Sequence, residues 1–310
     1  MPTALYTHPD CLGHVTPPGH PERVERLEAV LRALEGLPLD RREAPRVSRE
    51  ALLRCHPARY LDLVARSEPA PGQGWRSMDA DTHMIAGTLA AAERAAGGVV
   101  AAVEAVVAGE VPNAFVAVRP PGHHAERETA MGFCFFGSVA VAALHAIEAL
   151  GLSRVAIVDF DVHHGNGTQD LIWDREDVLF CSTHQMPLYP GTGAEHETGA
   201  HGQVVNVPLP GGADGAAFRA AIEDRVLPRL RAFTPDLLLI SAGFDAHARD
   251  PLAGLNLVEA DFAWVTGALC DAAEESCGGR VVSALEGGYD LEALAASARA
   301  HVEVLMERAG

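Results

Sequence analysis

Residues 155–167 read Val-Ala-Ile-Val-Asp-Phe-Asp-Val-His-His-Gly-Asn-Gly, and no other run constrains this chain as much. The first four residues are apolar, the pattern of a strand buried on both faces of a parallel sheet. The run then turns abruptly into acids, histidines and glycines. In an extended segment Asp159, Asp161 and His163 stand at i, i+2 and i+4, so their side chains leave on one face. Two carboxylates and an imidazole at the end of a buried strand are costly unless a cation lies between them. A single histidine in an Asp-Gly turn reads as structural; this density of ligand-type residues points to a divalent metal.

The same alternation of apolar strand and polar cluster recurs along the chain. Strands are expected at 3–7, 113–118, 178–182, 204–207, 237–241 and 281–285, besides the one beginning at Val155. Helices are expected at 22–34, twice within 48–66, at 83–109 with a soft point at Gly97-Gly98, and at 137–150, 214–232, 259–276 and 290–308. Residues 67–82 read as a surface loop. Strand–helix alternation without a repeat or linker implies βαβ units and a mainly parallel sheet covered on both faces. In such sheets ligands bind beyond the carboxyl ends of the strands. His123-His124, Asp161/His163, Asp245 and Glu286-Gly-Gly-Tyr289 each follow a strand.

Composition narrows the function. Apolar residues are 48% of the 310, enough for a large core, and the net charge is −18 from 24 basic and 42 acidic residues. That balance argues against nucleic-acid binding, which needs a basic surface. It favours solubility and would draw in cationic substrates. The six cysteines form no CxxC pair and read as free buried thiols in a reducing compartment. With no apolar run of spanning length and no signal-peptide pattern, a cytoplasmic protein without a membrane partner is expected.

Asp161, His163 and Asp245 supply two oxygens and one nitrogen, fewer ligands than a closed structural site, so water and substrate could both bind. Zinc fits first; ferrous iron or cobalt would also accept such a set. The adjacent His123 and His124 suit proton transfer beside such a metal, with Asp159 and Asn166 as candidate partners, one acidic and one neutral. Tyr289, after paired glycines, could donate to an oxyanion or simply plug a strand end. Phe133 and Tyr189 read as core lids or as the walls of a slot for an alkyl chain.

Taken together, Arg119-Pro-Pro-Gly-His-His, Gly132-Phe-Cys, Asp159-Phe-Asp-Val-His-His-Gly-Asn-Gly, Tyr189-Pro-Gly-Thr-Gly, Ser241-Ala-Gly-Phe-Asp and Glu286-Gly-Gly-Tyr resemble the motif set of the zinc-dependent histone deacetylase family. The pattern is most similar to its class II and bacterial amidohydrolase branch, in order along nearly the whole chain. The resemblance implies one catalytic domain over 1–310, an α/β arginase/deacetylase fold with an eight-stranded parallel sheet. It implies hydrolysis of Nε-acetyl-lysine or a related acylated amine. Carried over by motif, Asp161, His163 and Asp245 bind zinc, His124 is general base and acid, and His123 is held by Asp159. Tyr289 polarises the acetyl carbonyl. Gly132, Phe133 and Tyr189 line the acyl tunnel, Asp81 resembles a rim aspartate, and Arg26 matches the arginine of an acetate channel. Structural potassium is implied near Asp159, Asp161, His163, Ser182 and Thr183. A homo-oligomer is compatible with the family.

Two departures separate neighbouring families. Ureohydrolases with two manganese ions carry carboxylates where this chain has Gly165 and His247. The polyamine-selective branch places a glutamate after Asp-Pro, where this chain has Leu252, an apolar gatekeeper that leans towards acyl-lysine. An acetylpolyamine amidohydrolase is the rival with the same chemistry. A non-catalytic metal-binding scaffold is the rival of another class, and no motif residue is missing in its favour.

Overall fold

A computed structural model describes residues 1–309. In chain order it contains β1 (Ala4–Thr7), α1 (Val24–Ala33), β2 (Asp40–Glu43), α2 (Arg49–Leu53), α3 (Ala58–Ser67), β3 (Arg76–Ser77), β4 (His83–Met84), α4 (Thr88–Val107) and β5 (Asn113–Val116). There follow α5 (Ser138–Glu148), β6 (Val155–Asp159), α6 (Asn166–Ile172), β7 (Val178–Gln185) and β8 (Val204–Leu209). The last part holds α7 (Gly215–Ala221), a π-helical turn over Ile222–Val226, α8 (Leu227–Phe233), β9 (Leu237–Ala242), α9 (Glu259–Cys277), β10 (Val281–Leu285) and α10 (Leu291–Glu307).

Eight strands form one parallel sheet in the order β2-β1-β5-β10-β9-β6-β7-β8. Every residue of β5, β6, β9 and β10 is buried, so no face of these strands meets solvent. Helices α4 and α5 pack together as one layer, and α1, α10 and α9 as another. The chain passes from β5 to β6 leaving a gap that β9 and β10 later fill. This is a topological switch point, where the loops after neighbouring strands diverge and leave a crevice.

Three local expectations change. Strand β2, Asp-Arg-Arg-Glu, was not expected because it is wholly charged; it sits at the sheet edge, where one face and one rim stay wet. The 67–82 loop contributes to a small antiparallel hairpin, β3 with β4. Helix α4 runs through Gly97-Gly98 without a break. These glycines mark a close approach, since a Cβ at Gly97 would overlap the backbone of Pro45 and at Gly98 would come within 3.0 Å of Ala44 Cβ and Val116 Cγ1.

Candidate active site

The four central strands β5, β10, β9 and β6 each deliver one cluster at their carboxyl ends: His123-His124, Glu286–Tyr289, Asp245 and Asp159–His163. One element differs from the extended geometry expected for the last. Strand β6 ends at Asp159, and residues 160–164 turn. Asp159 Oδ1 accepts from Asp161 N at 3.0 Å, and Asp161 Oδ1 accepts from His163 N at 2.9 Å. Side chain to backbone bonds, rather than a pleat, thus aim the acids and the imidazole.

Asp161, His163 and Asp245 meet with candidate ligand atoms all within 4.8 Å of one another, buried from solvent. His163 Nδ1 lies 3.1 Å from Asp161 Oδ1 and 3.1 Å from Asp245 Oδ2. Backbone donors hold both acids: Val162 N on Asp245 Oδ1 at 2.8 Å and Gly287 N on Asp161 Oδ2 at 2.8 Å. Gly243 and Gly287 make the approach feasible, because a Cβ on either would overlap a carboxylate of Asp161 or Asp245. Burial, then the neighbouring Asp161 charge, pushes Asp245 up to about 7. Burial would lower His163, but Asp161 and Asp245 raise it to about 10. Such an excess of buried negative charge is what a divalent cation relieves, and the donor set suits zinc.

His123 and His124 lie with ring centroids 4.0 Å apart and planes tilted by 43°, yet their partners differ. His123 Nδ1 lies 3.0 Å from Asp159 Oδ2. Burial works against its charge, but Asp161 and Asp159 raise its proton affinity well above the ordinary histidine value. His124 Nδ1 donates to Asn166 Oδ1 at 2.7 Å, and Asn166 Nδ2 donates to Glu126 Oε1 at 2.8 Å, which fixes the amide. The His124 Nε2 lone pair is therefore the free one. Burial, then His123 and His163, lowers His124 well below the ordinary value. Two adjacent imidazoles are thereby driven to opposite protonation states.

These groups open into a cavity of about 260 Å³ lined by Pro21, Asp81, His124, Gly132, Phe133, His163, Leu188, Tyr189, Leu252 and Tyr289. A Cβ at Gly132 would overlap the His124 ring, so glycine lets this wall close on the imidazole. Phe133 stands edge-on to Tyr289 at 6.0 Å, and Tyr189 to His124 at 5.1 Å. Burial, only partly offset by Arg26, raises the Tyr289 phenol well above its usual value, so it stays a donor. Asp81 also lines this cavity, and burial and the nearby Asp79 raise its carboxyl.

Arg26 is fully buried, not the solvated helix residue that its position in α1 suggests. It donates to Gly288 O at 2.5 Å and Glu286 O at 2.6 Å, with its guanidinium 4.8 Å from the Tyr289 ring centroid. Its counter-ion is Glu22 at 3.0 Å, which Arg119 also grips through both oxygens at 2.5 and 2.6 Å. Burial opposes the Glu22 charge, but Arg119, His14 and Arg26 keep it ionised well below the usual range. Ser182 pairs in register with Asp159, and its hydroxyl meets His184 Nδ1 at 2.9 Å; Thr183 Oγ1 is buried without a partner among the described residues. At Gly165 a Cβ would overlap Asp159 Oδ2, and His247 stacks on Phe262.

Sequence reasoning gave no role to Glu22, Arg119, Glu286 or Asp250. Glu286 Oε2 accepts from Gly122 N at 2.7 Å and His123 N at 3.2 Å, tying the tyrosine loop to the histidine loop. Its signal was available: an acid at the end of an apolar strand, beside paired glycines.

The histone deacetylase domain model matches residues 20–305. The histone deacetylase-like amidohydrolase of Pseudomonas aeruginosa is 44% identical over 89% of this chain and 75% of its own length. The chloroplastic histone deacetylase 10 of Oryza sativa subsp. japonica is 39% identical over 94% and 71%. Among solved structures, that of the HDA15 HD domain superposes with a TM-score of 0.93 at 37% identity, covering 99% of this chain and 88% of that one. With its eight-stranded parallel sheet and these similarities, the chain belongs to the histone deacetylase family.

Proposed function

We propose that the protein is a zinc-dependent deacylase that hydrolyses Nε-acetyl-lysine, or a closely related acylated amine, to the free amine and acetate. The observation that carries this reading is the pair of adjacent histidines, His123 set on the Asp159 carboxylate and His124 on the Asn166 amide, beside the Asp161/His163/Asp245 cluster. A zinc ion held there would lend Lewis acidity to water and to the amide carbonyl. The chain's own groups do the rest. His124 Nε2 takes a proton from the attacking water and later delivers it to the departing amine, while Asn166 keeps the other ring nitrogen protonated. His123, charged against Asp159, steadies the negative charge that develops, and the Tyr289 hydroxyl donates to the carbonyl oxygen. Phe133, Tyr189 and Leu252 give the alkyl chain an apolar sleeve, and Gly132 lets that sleeve reach His124.

Asp81 would take substrate backbone N–H groups, and Arg26 would meet the released acetate. The potassium site belongs to the same reading, supported by the register of Asp159 with Ser182 and by the buried Thr183 hydroxyl, which has no partner among the described residues. Six buried unpaired thiols favour a reducing compartment, in line with a cytoplasmic enzyme. No helix of the described residues is long and apolar enough to cross a membrane.

The test is a comparison of zinc-loaded protein on an acetyl-lysine peptide, acetylspermidine and arginine. A higher kcat/KM on the peptide supports the reading. Preference for acetylspermidine would make the polyamine rival correct, release of urea would move the chain to the ureohydrolases, and no turnover of any acylated amine would leave only a scaffold.

A further inference from the structure

We infer that Asp250 is a positioning residue that sets the Tyr289 hydroxyl and the Leu252 gate together. The inference rests on the reading of Tyr289 as oxyanion donor. Tyr289 follows Gly287 and Gly288, which carry no side chain to hold the loop. What holds it is the peptide unit between Gly288 and Tyr289, gripped from two sides. Its carbonyl accepts from Arg26 Nε at 2.5 Å, and its N–H donates to Asp250 Oδ2 at 2.7 Å. Arg26 comes from α1 and Asp250 from the loop after β9, so the two grips reach the tyrosine from independent parts of the fold.

The second oxygen of the same carboxylate accepts from Leu252 N at 3.0 Å. One buried group, 8% exposed, therefore bonds the backbone of both the proposed donor and the proposed gatekeeper. The neighbouring Arg249 reinforces the link from outside, 2.8 Å from Asp290 and 2.8 Å from Glu292. Without Asp250 the Tyr289 peptide would be held by Arg26 on its carbonyl side only, and its N–H side could shift although Gly287 and the ring keep their other contacts. A displaced hydroxyl and a displaced tunnel wall would follow together. Turnover would fall through Tyr289 and KM would rise through Leu252.

The test is a double-mutant cycle on the zinc-loaded full chain, with Asp250→Ala and Asp250→Asn each made alone and with Tyr289→Phe. Asp250→Ala should lower kcat about tenfold or more, the scale of a misplaced catalytic group, with a raised KM. In the Tyr289→Phe background the further loss in kcat should shrink to about twofold or less, because the hydroxyl it positions is gone. Equal losses in both backgrounds would overturn the inference. Asp250→Asn keeps one acceptor oxygen and should fall between wild type and Asp250→Ala; it also serves if the alanine variant fails to fold. Amide exchange provides a readout independent of activity. Exchange at Leu252 and Tyr289 should quicken together in either variant, and unchanged exchange would sink the coupling. Inactive wild type, or Tyr289→Phe with full activity, would instead count against the deacylase mechanism, and exchange would still decide the clamp.

Discussion

His124 donates a hydrogen bond from its Nδ1–H to Asn166 Oδ1 at 2.7 Å, while the neighbouring His123 faces the carboxylate of Asp159 at 3.0 Å. A neutral partner leaves His124 basic at Nε2 but uncharged, and an acidic partner keeps His123 cationic. Near neutral pH, His124→Ala should therefore damage kcat more than His123→Ala, since a lost base cannot be replaced by the remaining cation. General acid–base groups contribute about 10²–10⁴-fold, so His124→Ala should lie within that range. Steady-state kinetics on an acetyl-lysine peptide checks the order, and the reverse order would exchange the two roles.

The Tyr289 ring is pinned beneath Arg26 and against Phe133, so removing the hydroxyl should not disturb the ring. Tyr289→Phe should lower kcat by about a hundredfold, the scale of one lost oxyanion donor. Zinc content should stay at the wild-type level by metal analysis. An unchanged rate would remove Tyr289 from the mechanism.

Gly243 stands directly behind Asp161, with no room for a methyl group. Gly243→Ala should push that carboxylate off its position and weaken zinc binding by about 10–100-fold, as other disturbances of ligand support do. Chelator competition measures this without reference to turnover. Zinc affinity equal to wild type would mean that Asp161 can shift without loss, or that it is not a ligand.

Much of the architecture could be read in advance because apolar strands and amphipathic helices announce themselves by period. Val155–Asp159 and Val281–Leu285 are unbroken apolar or small-residue runs ending in chemistry, and their order along the chain already implied a crevice at their carboxyl ends. What could not be read was anything decided by distant partners. Charged β2 joins the sheet only because β1 offers an edge. Glu22, Arg26 and Arg119 look like surface residues, yet in the fold all three are buried and paired with one another. Asp250 resembles any acid before a proline, and its two backbone bonds exist only in the folded chain.

Gly97 gives a case where local propensity and tertiary packing oppose each other. In an exposed helix interior Gly→Ala gains about 1 kcal/mol. In α4 the new methyl would strike the Pro45–Val47 backbone, which cannot swing aside as a side chain can. Gly97→Ala should therefore destabilise by about 1–3 kcal/mol, the usual cost of overpacking. Urea unfolding measures it, and a stabilised variant would show that this contact is loose.

Acid should weaken the fold before the ordinary carboxylates titrate. His56 is fully buried and accepts from Gly137 N through Nε2 at 3.0 Å, so its proton sits on Nδ1, facing Arg127 O at 3.1 Å. A second proton would set an N–H against the Gly137 N–H. Burial pushes its pKa down to about 4, and burial likewise lowers His184 to about 4 and His301 to about 3. The unfolded chain binds these protons near pH 6.5 and the folded chain does not, so stability is full above about 6.5 and falls as pH drops towards 4. Each such histidine costs about 3 kcal/mol by the bottom of that window, at about 1.4 kcal/mol per unit. Urea unfolding of protein in one metal state, from pH 7.5 down through this window, should trace the decline. His56→Gln keeps an acceptor for Gly137 N without a titrating ring, so its profile should be flatter by one proton's worth of slope. A wild-type profile flat to the carboxylate range would mean that these histidines fold with their charge.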